Sequence, residues 1–294
     1  MNDAAVQPAA SRDDDRRDAD ALLEIAIEAA TMAGALLLER AQRGAEREVS
    51  SKSTPTDLVS EADLAAERAI RELLATHRPH DGFLGEEGGH EDSSSGFNWV
   101  VDPLDGTVNF LFGIPQWCVS VAVRDSRGTA AGAVYDPNRD ELFTASRDGS
   151  ATLVGPAGET ELVARGSSGV AGAQAGEGAV GDGELATAMV ATGFAYDARV
   201  RAAQAPVLAR LLPRVRDVRR LGSAALDLAW TAAGRYDAYF ERTVKPWDIA
   251  AGALICERVG LHVLELPERE QLPWGILVTR AELAEPLLEL VGGG

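Results

Sequence analysis

The stretch "VDPLDGTVNF", residues 101–110, sets Asp102 and Asp105 three positions apart, with Pro103 between them and Gly106-Thr107 directly after. It continues the apolar run "NWVV", so a strand end delivers both carboxylates to one edge of a sheet. Pro103 fixes its own φ and removes an amide donor, which stiffens the turn. Gly106 permits close backbone approach and, with Thr107, offers N–H groups to an anion. Carboxylates beside an anion site need a cation between them, and hard divalent ions such as Mg²⁺ take one or two carboxylates plus water and phosphate oxygens. A solvated turn is the alternative, because Asp, Pro and Gly are common turn residues.

Two further stretches carry chemistry of the same kind. "FLGEEGG" (83–89) places Glu86 and Glu87 in a glycine-flanked turn after a short apolar strand, and Glu87 reads as an exposed rim charge. "KPWDIAAG" (245–252) sets Asp248 at the start of an apolar helix. There a helix N-cap, worth about 1 kcal/mol, is the alternative, and capping does not exclude metal binding. His77, His80, His90 and His262 show no metal-ligand spacing. Cys118 and Cys256 lie far apart in apolar runs with no CxxC spacing, so buried thiols are expected rather than a disulfide.

The elements that must position these groups follow from pattern. Residues 21–42 have helical apolar spacing, and "SEADLAAERAIRELLATHRP" (60–79) predicts a second helix with Ser60 as N-cap and Asp63 as its acidic partner. From about 97 to 154, short β-prone runs separated by Gly, Asp, Asn and Pro predict a meander of largely antiparallel strands. Residues 166–184, rich in Gly, Ala and Ser, read as a flexible connection. Helical patterns then follow at about 199–213, 222–234 and 247–259, interspersed with strand-like "YDAYF" and "LHVLEL". The organisation predicted is a charged disordered tail (1–17), an α+β half (18–165), the connection (166–184), and an α/β half (185–294) carrying Asp248.

The chain has 294 residues, 46% of them apolar, without an uninterrupted apolar run of membrane-spanning length. Its start lacks the basic and apolar regions of a secretory signal, so a cytoplasmic protein with no membrane partner is expected. The net charge of −18 repels nucleic-acid phosphates, and no direct nucleic-acid binding is expected. An anionic substrate therefore needs cations as intermediaries.

Taken together, "KSTPTDLVSEAD" (52–63), "GEE" (85–87), "DPLDGT" (102–107) and "WDIAAG" (247–252) resemble, in this order, the motifs of the inositol monophosphatase family of metal-dependent phosphatases. The resemblance covers residues from about 20 to 265 and implies an α+β fold, a layered α-β-α-β-α sandwich. It implies two to three Mg²⁺ ions per site. Glu86, Asp102 and the carbonyl of Leu104 would hold the first, Asp102 would bridge to a second shared by Asp105 and Asp248, and Glu86 would help bind a third. Glu86 and the Thr107 hydroxyl would position the attacking water, with Asp63 orienting ligands and Thr107, and Lys52 near the metal waters. Asp63 as a helix-start carboxylate and Lys52 as a loop cation remain open alternatives. Asp105 would also border the substrate, Gly106 and Thr107 would hold phosphate oxygens, and Glu241 with the backbone at Ala224 would take sugar hydroxyls. A strand-end charge is the alternative for Glu241.

The substrate implied is a small phosphorylated polyol, inositol 1-phosphate first. Histidinol phosphate, fructose 1,6-bisphosphate, the 2′-phosphate of NADP and 3′-phosphoadenosine 5′-phosphate are its rivals on the same metal core. Homodimerisation and lithium sensitivity are implied likewise. A regulatory protein- or RNA-binding factor on the same fold is the alternative of a different class. The chain departs from the family pattern at "CERVGLHVLEL" (256–266) and at "TGFAYDAR" (192–199), beside the substrate region.

Overall fold

The structure is a computed structural model and describes residues 12–43, 49–51, 58–163 and 182–292. It opens with α1 (Arg12–Gln42), a small antiparallel pair β1 (Val49–Ser51) and β2 (Leu58–Ser60), and α2 (Glu61–His77). The hairpin β3 (Gly82–Gly85) and β4 (Gly89–Glu91) leads to β5 (Asn98–Asp105), the short α3 (Thr107–Leu111) and β6 (Cys118–Asp125). Then come β7 (Gly128–Asp136), β8 (Glu141–Ser146), β9 (Ala151–Gly155) and β10 (Gly158–Glu161). The second half holds α4 (Asp182–Leu185), β11 (Met189–Thr192), α5 (Ala198–Leu211), β12 (Asp217–Arg219), α6 (Ala224–Ala232) and β13 (Ala238–Arg242). It ends with α7 (Pro246–Arg258), β14 (His262–Leu266), β15 (Gly275–Thr279) and α8 (Ala281–Val291).

Eight strands form one sheet in the order β10-β9-β8-β7-β6-β5-β3-β4, and five form another in the order β12-β11-β13-β15-β14. The run from β5 to β10 is the antiparallel meander that the turn residues predict, while β3 pairs with β5 in parallel. Strand alternation builds three apolar layers. Val101, Val119, Val121 and Val123 face α1 and α2, whereas Val100, Cys118, Ala122 and Val134 face α6 and α7. Tyr239, Ile276 and Val278 meet those same two helices from the smaller sheet, and Phe240 and Leu277 turn outward to α5 and α8. The result is a layered α-β-α-β-α sandwich, in which one core runs through both halves of the chain.

Small residues set the spacing of the central helices. A Cβ on Gly132 of β7 would lie 2.8 Å from Ala251 Cα, and one on Gly252 would lie 2.6 Å from the Leu228 side chain. Helix α7 is thus clasped between the large sheet and α6 at close backbone approach.

One sequence expectation needs correction. The first helix starts at Arg12 rather than near residue 21, so part of the expected tail is helical; no glycine or proline interrupts the sequence from Arg12 to Asp20. Of the two readings open for Asp248, the N-cap is excluded, because Lys245 takes that position and Pro246 the first helical one. The rest of the tail, Lys52 and most of the expected connection fall outside the described residues, and α4 occupies its end. Asp18–Gln42 is long and apolar enough, by length and composition, to cross a bilayer, an 18-residue window within it reaching a mean hydropathy of 1.8. Here it is a core helix, for Leu22, Ala26, Ala30, Ala33 and Leu37 are buried under the large sheet.

Gly106 adopts φ 97°, and a Cβ there would meet the Gln116 carbonyl oxygen at 2.9 Å. Gly106→Ala should therefore lower stability by about 1–3 kcal/mol, read as a fall in the denaturant midpoint at unchanged m. An unchanged midpoint would show that this turn tolerates a side chain.

Candidate active site

Residues three apart on a regular strand point to opposite faces. In β5, Asp102 pairs with Ser120 and Asp105 with Cys118, so three steps on one strand answer two on its partner. Pro103 cannot donate to the ladder, and the resulting bulge re-aims Asp105. Both carboxylates then border a cavity of about 630 Å³, which Glu86, Leu104, Gly106, Thr107, Ala224, Glu241 and Asp248 also line. The strand end, the turn after β3 and the first turns of α6 and α7 converge there.

Each side chain has identifiable support. Thr107 Oγ1 lies 2.9 Å from Asp63 Oδ1 and 3.1 Å from the Leu104 carbonyl oxygen. Both neighbours accept, so the single hydroxyl proton goes to one of them and an Oγ1 lone pair stays available to a water proton. Asp63 is fully buried, which favours its role as an orienting group over that of a helix-start charge. Asp105 Oδ2 accepts from Ser223 Oγ and from the Ala225 N–H, each at 2.7 Å, and so joins β5 to the start of α6. Asp102 Oδ1 accepts the Leu104 N–H at 3.0 Å. Asp248 Oδ2 accepts the Lys245 N–H, and the Ser120 hydroxyl donates to the Trp247 carbonyl, which anchors this turn of α7 to β6.

Four supporting residues had no role in the sequence reading. Glu67 of α2 is buried and accepts the Glu87 N–H at 2.8 Å, which fixes the "GEE" turn. Glu87 itself is half-buried rather than a bare rim charge. Asn109 reaches across the chain to the carbonyls of Gln116 and Leu221. Ser223 caps α6, and Tyr239 donates its hydroxyl to Glu241 Oε2 at 3.0 Å. Only the Ser223 position, before an apolar helix, left a local signal.

The electrostatics favour a bound cation. Burial raises Asp102 well above the ordinary carboxylate range, and the charges of Glu86, Asp105 and Asp248 raise it further. Burial likewise pushes Asp105 up to about 6, against the hydrogen bonds from Ser223 and Ala225, and raises Asp248, which Asp105 also repels. Glu241 rises to about 7 through burial, partly offset by Tyr239. Among the described residues, Asp102, Asp105 and Asp248 have no Lys or Arg ion-pair partner. A buried group of unpaired carboxylates is costly unless protons or a hard cation neutralise it. The oxygen donor set fits Mg²⁺ chemistry. No three His, Cys, Asp or Glu side chains among the described residues are already drawn together as a finished cage, so the ligands would have to close around the ion. Both cysteines are free and buried, and burial raises the Cys118 thiol, so neither is a nucleophile.

Comparison with known proteins supplies the frame for this geometry. The model of the inositol monophosphatase family matches residues 18–290. Over 221 residues the chain is 44% identical to the inositol-1-monophosphatase SuhB of Mycobacterium tuberculosis, covering 74% of this chain and 71% of that protein. It is 39% identical over 241 residues to the Nus factor SuhB of Pasteurella multocida, covering 81% and 83%. The crystal structure of the extragenic suppressor protein SuhB from Bartonella henselae superposes with a TM-score of 0.79 at 32% identity, covering 93% of this chain and 99% of that one. The chain belongs to the inositol monophosphatase family.

Proposed function

We propose that this protein is a Mg²⁺-dependent phosphomonoesterase that hydrolyses inositol 1-phosphate to inositol and phosphate, in the cytoplasm and as a homodimer inhibited by lithium. The observation that carries the reading is the meeting, in one cavity, of the carboxylate cluster with Gly106, Thr107 and Glu241. Glu86, Asp102, the Leu104 carbonyl, Asp105 and Asp248 would hold two to three ions. Bound there, the metal would supply charge neutralisation and a lowered water pKa.

The remaining work falls to the protein. The Thr107 hydroxyl, oriented by Asp63, accepts a hydrogen bond from the attacking water while Glu86 aligns it in line with phosphorus. Gly106 and Thr107 border the phosphate, and the Gly106 φ of 97° holds this turn against the Gln116 carbonyl. Glu241 lines the same cavity, braced by Tyr239, and a carboxylate acceptor suits the hydroxyls of a polyol. Gly193 packs directly against the Glu241 carboxylate and leaves it room.

A phosphate-release screen of inositol 1-phosphate, histidinol phosphate, fructose 1,6-bisphosphate and NADP tests the reading. Inositol 1-phosphate should give the highest kcat/KM, and Glu241→Gln should raise its KM roughly tenfold with little change in kcat, because the lost contact is made equally in ground and transition states. A higher kcat/KM for any rival would reassign the substrate, and no release from any would remove the activity.

The relative named a Nus factor favours a second reading, a regulatory factor acting through binding. The net charge of −18 argues against direct RNA contact. If Glu86→Gln loses hydrolysis yet fully sustains the cellular role of the protein, the binding reading prevails.

A further inference from the structure

A second cavity, of about 600 Å³, lies along α7, whose first turn is wall to both: Lys245, Trp247 and Asp248 line the first, and Pro246, Ile249 and Ala250 the second. Its chemistry is opposite. Arg124, Arg127, Arg147 and Arg258 surround it in a chain whose net charge is −18. Most of the acids near them lie outside the cavity. Asp125 takes Arg147 in a two-pronged pair at 2.7 and 2.9 Å and lies 3.5 Å from Arg127, and Glu257 stands on the wall. Arg258 Nε donates to the Gly149 carbonyl, and the exposed side chain of Arg124 makes no hydrogen bond or ion pair among the described residues.

Asp18 and Asp148 join Asp125 beside Arg127 and Arg147 but do not line this cavity, whose own wall sets four guanidinium groups against the single carboxylate of Glu257. The opposite wall is apolar, formed by Ile249, Ala253, Leu254 and the half-buried indole of Trp274. Guanidinium groups bind phosphate and carboxylate in paired hydrogen bonds, and an indole face accepts a flat ring. A cavity of this size is that of a small-molecule site. We propose that it binds a small organic anion that carries two or more acidic groups and a planar ring, the chemistry a nucleotide presents.

The test is calorimetric titration of the full-length chain with ADP at low salt in EDTA, where the acidic first cavity repels anions. One ADP per chain should bind, with adenosine and inorganic pyrophosphate each at least tenfold weaker, because ring and charge are both required. Arg124→Ser with Arg127→Ser should weaken ADP at least tenfold while the melting temperature and phosphate release stay unchanged. Arg124→Ser alone, at an exposed residue without partners, should weaken it several-fold and keeps the test readable if the double variant is unstable. Absence of ADP binding, equal affinity in the variants, or a face that proves to be covered by a second copy of the chain would overturn the proposal.

Discussion

Asp102→Asn should abolish turnover and, in the metal-free protein, raise the melting temperature. Asp102 is 1% exposed, has no cationic partner among the described residues, and is held well above the ordinary carboxylate range by burial and by Glu86, Asp105 and Asp248. Asparagine keeps the shape and the oxygen that accepts the Leu104 N–H, so the bulge survives. What disappears is a charge that the fold can carry only by protonation or by a cation. The melting temperature should rise by roughly 5 °C at pH 7.5 in EDTA, while kcat with saturating Mg²⁺ should fall at least about 10³-fold, since a bound cation contributes several kcal/mol to the transition state. A variant that is both less stable and nearly as active would show that Asp102 is an ordinary core residue.

The second large effect is the response to pH. Asp105 titrates at about 6 rather than 3.8, and Glu241 at about 7 rather than 4.5. Between the ordinary carboxylate range and these raised values, the folded chain keeps protons that the unfolded chain has released. Through these two groups stability is therefore greatest at the acidic side and falls as pH rises from about 4 to about 7, and the raised Asp102 and Asp248 act in the same direction. Each group accounts for roughly 3 kcal/mol, less whatever solvent screens, so the metal-free melting temperature should drop by several degrees between pH 5 and pH 8. Mg²⁺ should recover much of this loss at pH 8 and little at pH 5, because it replaces protons that are already present in acid. Identical pH profiles in EDTA and in Mg²⁺ would refute a metal site at these carboxylates.

Much of the site was legible because its residues are consecutive or turn-bound. "DPLDGT" contains its own geometry: the proline breaks the ladder, the bulge turns Asp105, and the glycine takes the left-handed conformation. The meander and the helices α2, α5, α6 and α7 followed from turn residues and periodicity. Less legible was whatever depends on distant contacts. Nothing local says that Ser223 will meet Asp105 across 118 positions, or that Glu67 will hold the "GEE" backbone. Asp248 was legible as a helix-start carboxylate, but only the observed turn decides between N-cap and first-turn residue, with Lys245 as the cap. The strands β11 and β12 are too short, and too dependent on their neighbours, for pattern to reveal, whereas β15 ("GILVT") carries β-branched residues that the reading passed over.

The contacts of Gly132 with Ala251 and of Gly252 with Leu228 place a tolerance on the whole molecule. Asp102 and Asp105 ride on the sheet and Asp248 rides on the helix, so the gap they must bridge is gauged by two hydrogen atoms where other residues carry methyls. The fit around an ion is thereby machined in the middle of the core, out of reach of any ligand. A side chain at either glycine would move the acids apart without touching the cleft.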